Sequence, residues 1–205
     1  MEKKTLVIHG CGGHARSVAS AVKGQWNVVF VDANARPGEI ILGCPVFRST
    51  DQVPGAERAA HHVALGLLAE KKALFESLRD EGVSLPVLIA PDAVIAEGAE
   101  IGDGTFVGIG AYVGPNARIG ANTIVNTHAV VEHDVVVGDH THISINAAVA
   151  GYSRIGSEVM IGAGATVIDK LRVGDRIVVG AGAAVVRDLT EPGTYVGVPA
   201  KRLHA

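Results

Sequence analysis

The apolar positions of this chain follow two different patterns. Up to about residue 85 they come in short unbroken runs that alternate with stretches of helical spacing. TLVIHG and NVVFVDAN read as buried strands, and HHVALGLL as a third. HARSVASAVKG puts Val18, Ala19 and Val22 on one helical face, with Gly24 expected as its C-terminal cap. AEKKALFESLRDEG groups Leu74, Phe75 and Leu78, with Gly82 past its end. Strand and helix in this alternation predict a small parallel α/β sheet.

After VSLPV the spacing changes. Starting at Ile89 and stepping by six, through Ile95, Ile101 and Val107 to Val173, Val179 and Val185, every slot holds isoleucine or valine, with no insertion. Neither a helix nor a two-faced strand repeats every six residues, whereas a hexapeptide solenoid does. Each unit is then one short strand and a corner, and three units close a triangular coil of 18 residues, giving about five coils. The β-branched anchors point inward and stack at roughly 4.8 Å. Small residues (Ala93, Ala99, Thr105, Ala111, Ala117, Thr123) fit the corners, and the glycines that follow many anchors are expected to take the turn conformations. The boundaries are 1–85 for an α/β Rossmann-like unit and 86–205 for the solenoid.

Composition narrows the function. The chain has 205 residues, 26 of them glycine, and 4% aromatics, so its core is built of small aliphatic side chains. A net charge of −3 gives no electrostatic case for a nucleic-acid partner. Without an 18-residue apolar run or a signal peptide, the chain reads as a cytoplasmic protein with no membrane association. Cys11 and Cys44 have no metal-ligand spacing and read as reduced, buried small hydrophobes.

The segment EHDVVVGDHTH at 132–142 carries three histidines on this scaffold. His133, His140 and His142 fall on different faces of the coil, which disfavours a zinc site, since zinc wants three or four convergent ligands. His133 follows anchor Val131 by two places and is expected on an outward slot, where imidazole suits proton abstraction near neutral pH. Asp134 beside it would favour the imidazolium form. Gly151 lies 18 residues on, so it stacks over His133, and its N–H is placed to donate to an oxyanion. His142 is half a coil round from His133, so the two meet only if a second subunit supplies one of them. His128 and His140 read as surface residues.

With these motifs in view, NTHAVVEHDVVVGDHTHI, the closing segment EPGTYVGVPAKRL and the opening IHGCGGHA resemble the hexapeptide-repeat acyltransferases. The resemblance spans essentially the whole chain. Within that family it points to the branch of sialic-acid O-acetyltransferases and bacterial nucleotide-aminosugar N-acetyltransferases. It implies a left-handed parallel β-helix and a homotrimer with acetyl-CoA in the groove between neighbouring β-helices. It also implies His133 as general base, oriented by Asp134, and His142, Ala163 and Ala181 against acetyl-CoA. Lys201 and Arg202 sit where a CoA phosphate is within reach.

The Gly-rich loop GCGGHA follows a strand and opens a helix, like half of a dinucleotide fingerprint. Gly10 suits the tight turn, Gly12 and Gly13 a close backbone approach, and Ala15 close helix packing. Asp32, about 20 residues on, is placed to accept from ribose or base groups. The resemblance assigns Gly12, Gly13, His14, Asp32 and Gly66 to the nucleotide-sugar acceptor; Leu67 and Leu68 stand where its members tend to carry polar residues. The expected activity is acetyl-CoA-dependent N-acetylation of a nucleotide-linked amino sugar in bacterial surface-glycan biosynthesis. The alternatives are sugar O-acetylation and a non-catalytic or NAD-binding module.

Overall fold

The computed structural model describes residues 3–203. The chain divides into two compact units, Met1–Leu88 and Ile89–Ala205.

The first unit is a five-stranded sheet with two helices. In chain order these are β1 (Thr5–His9), α1 (Gly13–Val22), β2 (Asn27–Val31), β3 (Ile40–Ile41), β4 (Cys44–Phe47), β5 (Ala60–Val63) and α2 (Leu68–Asp80). The sheet order is β3-β4-β2-β1-β5, all parallel except the β3–β4 hairpin, which the apolar pattern does not announce because each of its strands is short. Leu6, Val7 and Ile8 of β1 are fully buried, as a central parallel strand requires. Val18, Ala19 and Val22 of α1 face inward as the spacing predicts. The expected Gly24 cap is not formed. The helix ends at Lys23 in right-handed geometry, and the N–H groups of Gln25 and Trp26 both turn back onto the Val22 carbonyl. Gly82 does close α2, at φ +75°, with the Val83 N–H donating to the Leu78 carbonyl. The buried face of α2 is Lys71, Phe75 and Leu78, with Leu74 only half-buried, because the packing direction favours the Lys71 side.

The second unit is the solenoid. Each six-residue slot forms a short strand ending on its anchor, from Leu88–Ile89 to Ala184–Val185. Pairing is parallel at an offset of 18 residues, for example Val113 with Val131 and Val131 with Val149, so three faces close a triangular coil; the coil is a left-handed β-helix. The first face holds anchors Val107, Val125, Ile143, Ile161 and Val179. The second holds Val113, Val131, Val149, Val167 and Val185, and the third Ile119, Val137, Ile155 and Val173. These anchors form one buried column. Thr105, Thr123 and Thr141 stack within it: each hydroxyl donates to a glycine carbonyl (Gly120, Gly138, Gly156) and accepts an N–H from the next coil, which satisfies the buried oxygen. The first face is extended by Gly193–Val196, against which Lys201–Arg202 pairs antiparallel.

The glycines after the anchors have a different role from the one expected. Left-handed backbone occurs two places later, at Asn116, Asn122, His128, Asp134, His140, Asn146 and Tyr152 among others. Gly102, Gly114, Gly120, Gly138 and Gly156 are needed instead because an added Cβ would lie 2.6–2.8 Å from backbone atoms of the next coil. Close coil stacking, not turn geometry, selects them.

Candidate functional site

His133 and Asp134 occupy the corner between the second and third faces, not an outward slot on a strand. The left-handed φ of +58° at Asp134 folds its carboxylate back beside the ring, and Nδ1 of His133 lies 2.9 Å from Oδ2. A carboxylate only accepts, so Nδ1 carries a proton, and in the neutral imidazole Nε2 keeps its lone pair. The imidazole is half exposed, at 46%, and therefore reachable from solvent. One coil up, Gly151 lies over it: a Cβ there would come within 2.7 Å of both Cε1 and Nε2. Tyr152 follows, its ring edge-on to the imidazole with centroids 5.0 Å apart.

Between coils the ladder uses the first and third residues after each anchor, and the N–H of the second is left over. At the corner between the third and first faces, side chains of the next coil take it up. Ala121 donates to Asp139, Asp139 to the Ser157 hydroxyl, and Ser157 to Asp175. Among the described residues the N–H of Gly151 has no such acceptor, nor have those of Ala163 and Ala181. Ala163 and Ala181 are exposed and stack directly, the Gly182 N–H bonding the Ala163 carbonyl at 2.9 Å. They belong to the corner between the first and second faces, so one protomer presents them on a different edge from His133. His142 lies on the first face, half-buried, with Nε2 3.1 Å from the Asn126 amide nitrogen.

Two expectations need correction. His140 is buried, at 6% exposure, with Nδ1 2.9 Å from the amide nitrogen of Asn122 in the adjacent coil. His128 is exposed as expected. Lys201 and Arg202 are both exposed, but Arg202 is already engaged by the Glu191 carboxylate (2.7 Å) and the Pro192 carbonyl (2.9 Å).

In the first unit the candidate acceptor residues gather at the carboxyl ends of parallel strands. Gly10 to His14 follow β1, Asp32 follows β2 and Gly66 lies just beyond β5. The chain passes from β1 to β2 on one side and reaches β5 on the other, so β1 and β5 flank the switch point where α/β sheets bind ligands. Gly10 takes φ +97° and packs on the Ala64 carbonyl. Gly12, the N-terminal cap of α1, and Gly13 face open space, and Gly66 is likewise uncovered. Asp32 is oriented from two sides: the Asn34 N–H donates to Oδ1 at 3.0 Å and the Cys11 thiol to Oδ2 at 3.1 Å. Those bonds hold the carboxyl below its ordinary pKa, the Asn34 bond contributing most. Burial, then the bond to Asp32, raises the Cys11 thiol to about 11, so it stays a donor. Cys11 is thus a half-exposed hydrogen-bonding group, not a buried hydrophobe; Cys44 is buried.

A histidine cluster also lies here that the strand pattern could not reveal without the strand order. His9 Nε2 and His61 Nδ1 are 2.9 Å apart in the core, and the rings of His14 and His62 are 6.5 Å apart. Burial, then His61, lowers His9 from 6.5 to about 4, and burial lowers His61 and His62 as well. A base with a depressed folded pKa binds fewer protons folded than unfolded. Stability is therefore complete above pH 6.5 and falls as pH drops toward 4, by about 3 kcal/mol for His9. Urea melts of the full chain should show the midpoint dropping across that interval, with a shallower drop for His9→Gln. A midpoint independent of pH would contradict this.

No described helix is long and apolar enough to cross a membrane. Residues 98–133 match the bacterial transferase hexapeptide (six repeats) family, and residues 5–78 match the PglD N-terminal domain. The acetyltransferase domain of PglB from Neisseria gonorrhoeae FA1090 superposes with a TM-score of 0.92 at 34% identity, covering 98% of this chain and 100% of that one. The same domain in complex with acetyl coenzyme A gives 0.91 at 35% identity, over 98% and 100%. PerB from Caulobacter crescentus, in complex with CoA and GDP-perosamine, gives 0.89 at 33% identity, over 98% and 97%. With both segments matched and full-length likeness at this level, the chain belongs to the hexapeptide-repeat acetyltransferases that carry a PglD-type N-terminal domain.

Proposed function

We propose that this protein transfers the acetyl group of acetyl-CoA to the amine of a nucleotide-linked amino sugar, in the cytoplasm, for bacterial surface-glycan synthesis. The observation that carries the reading is the corner where the free Nε2 of His133 faces Gly151, whose N–H is unclaimed among the described residues. The complexes of PglB with acetyl coenzyme A and of PerB with CoA and GDP-perosamine support donor and acceptor class. Two free cysteines fit a reducing compartment.

The amine attacks the thioester carbonyl while Nε2 of His133 takes its proton, and Asp134 stabilises the imidazolium. The Gly151 N–H donates to the oxyanion of the tetrahedral intermediate. Collapse breaks the C–S bond, and the imidazolium returns its proton to the departing CoA thiolate. On the first unit, Gly12, Gly13, His14 and Gly66 receive the nucleotide portion and Asp32 accepts from its ribose or base. Incubation with acetyl-CoA and a panel of UDP-, GDP- and dTDP-linked 4-amino sugars should release CoA and yield an amide that resists hydroxylamine. A hydroxylamine-labile ester, or CoA release with none of the panel, would defeat the reading.

We further propose a homotrimer in which the donor lies between His133 of one copy and His142, Ala163, Ala181 and Lys201 of the next. Exposed apolar side chains support this. Met160, Val178, Ile145 and Ile168 lie on or beside the first and second faces, whereas the third presents Glu100, Arg118, Arg154 and Arg172. His133→Ala and Ala163→Trp chains, each inactive alone, should regain about a quarter of the parent activity when mixed trimers are assembled. Mixed trimers without activity would place the whole site in one copy.

A further inference from the structure

Tyr152 stands one coil above Asp134, and its N–H donates to the His133 carbonyl at 3.1 Å. Its ring meets the His133 imidazole at 86°, with centroids 5.0 Å apart. The backbone here is left-handed, φ +62°, as at the comparable corners from Gly98 to Gly182. Many of those corners carry glycine or asparagine (Gly98, Gly104, Gly110, Asn116, Asn122, Asn146), which tolerate that conformation, and others carry larger residues (His128, His140, Glu158, Lys170, Arg176). An aromatic residue does so under strain. Tyr152 is 55% exposed, so burial of its ring does little to offset that strain. What sets Tyr152 apart from the other large residues at such corners is its edge-on packing against the proposed base.

We infer that Tyr152 is a positioning residue for the general base: its ring is a third contact on the His133 imidazole, beside Asp134 and Gly151, and keeps Nε2 aimed at the acceptor amine. The inference deepens the reading of His133 as base and rests on it. Asp134 fixes the protonated nitrogen and Gly151 leaves room above the ring, but neither alone stops the half-exposed imidazole from swinging outward about its side-chain bonds. The edge-on aromatic contact does.

The test is steady-state kinetics on Tyr152→Phe, Tyr152→Asn and His133→Ala, each alone, and on Tyr152→Asn combined with His133→Ala. Tyr152→Asn should lower kcat by about tenfold or more with KM for both substrates within about twofold, because positioning acts on the transition state. Its Tm should be no lower than the parent's, since asparagine suits the left-handed corner. Tyr152→Phe, which keeps the ring, should retain the parent kcat. In the His133→Ala background, Tyr152→Asn should produce no further loss. Parent-like kcat for Tyr152→Asn, a loss confined to KM, a lower Tm, a Phe variant as impaired as the Asn variant, or an additive double variant would each overturn the inference. Failure of the underlying reading is separately visible, as a His133→Ala protein that turns over normally.

Discussion

Turnover of the His133→Ala protein is expected to fall by about 10²-fold or more, the scale of losing a general base. Nε2 is the site's available proton acceptor, because Nδ1 is committed to Asp134 at 2.9 Å. Alanine removes that acceptor but leaves the Gly151 N–H and the coil intact, so residual activity from oxyanion stabilisation should persist. The imidazole is half exposed and contributes little to the core, so Tm should stay close to the parent value. KM for acetyl-CoA should change little if His133 acts on the acceptor's proton alone. The measurement is CoA release under saturating substrates, beside a thermal melt of the same preparation. A kcat within about threefold of the parent would remove His133 from the role of base.

Gly151→Ala is expected to do comparable damage by a different route. The added Cβ would lie 2.7 Å from Cε1 and Nε2 of His133, inside any allowed contact, and the imidazole is the partner free to move. Displacing a reacting group by about 1 Å costs on the order of 10² in rate. Gly151 is not among the left-handed glycines, so alanine fits its backbone and keeps the N–H. The loss should therefore appear in kcat with little change in Tm, and should vanish when His133 is already alanine. A Gly151→Ala protein with normal turnover would mean that the ring does not work from the position seen here. A Tm fall of many degrees would show that the glycine serves coil stacking, as Gly114 and Gly120 do.

The solenoid was largely legible because its contacts are translations along the chain. A β-branched residue every sixth place names the buried column, and an offset of 18 names the partner of each residue, so Gly151 above His133 follows from counting. Counting also places Tyr152 over Asp134, a signal available in the same register but passed over because tyrosine has no assigned role at that corner. His128 and His140 take the same left-handed φ, yet one ring is exposed and the other buried; their neighbours in the adjacent coil differ, Gly110 against His128 and Asn122 against His140, and the corner pattern alone does not separate the two.

The first unit was less readable. The Gly-rich loop, Asp32 and the parallel strands are local features, each visible in a window of a few residues. The His9–His61 pair and the Cys11–Asp32 bond join segments far apart in the chain, and the burial of Lys71, whose amine is lowered to about 7 by desolvation, depends on how its helix packs. Those pairs exist only once the strand order β3-β4-β2-β1-β5 is known.

By itself, then, the sequence determined the coil, its inner column and the stacking of the candidate base beneath its glycine, since a strict repeat turns position in the chain into position in space. Only the tertiary structure decided which nitrogen of His133 is free, which ring lies against it and which histidines are buried. Those outcomes depend on corner dihedrals, side-chain rotamers and the neighbours that strand order brings together, and no repeat encodes them.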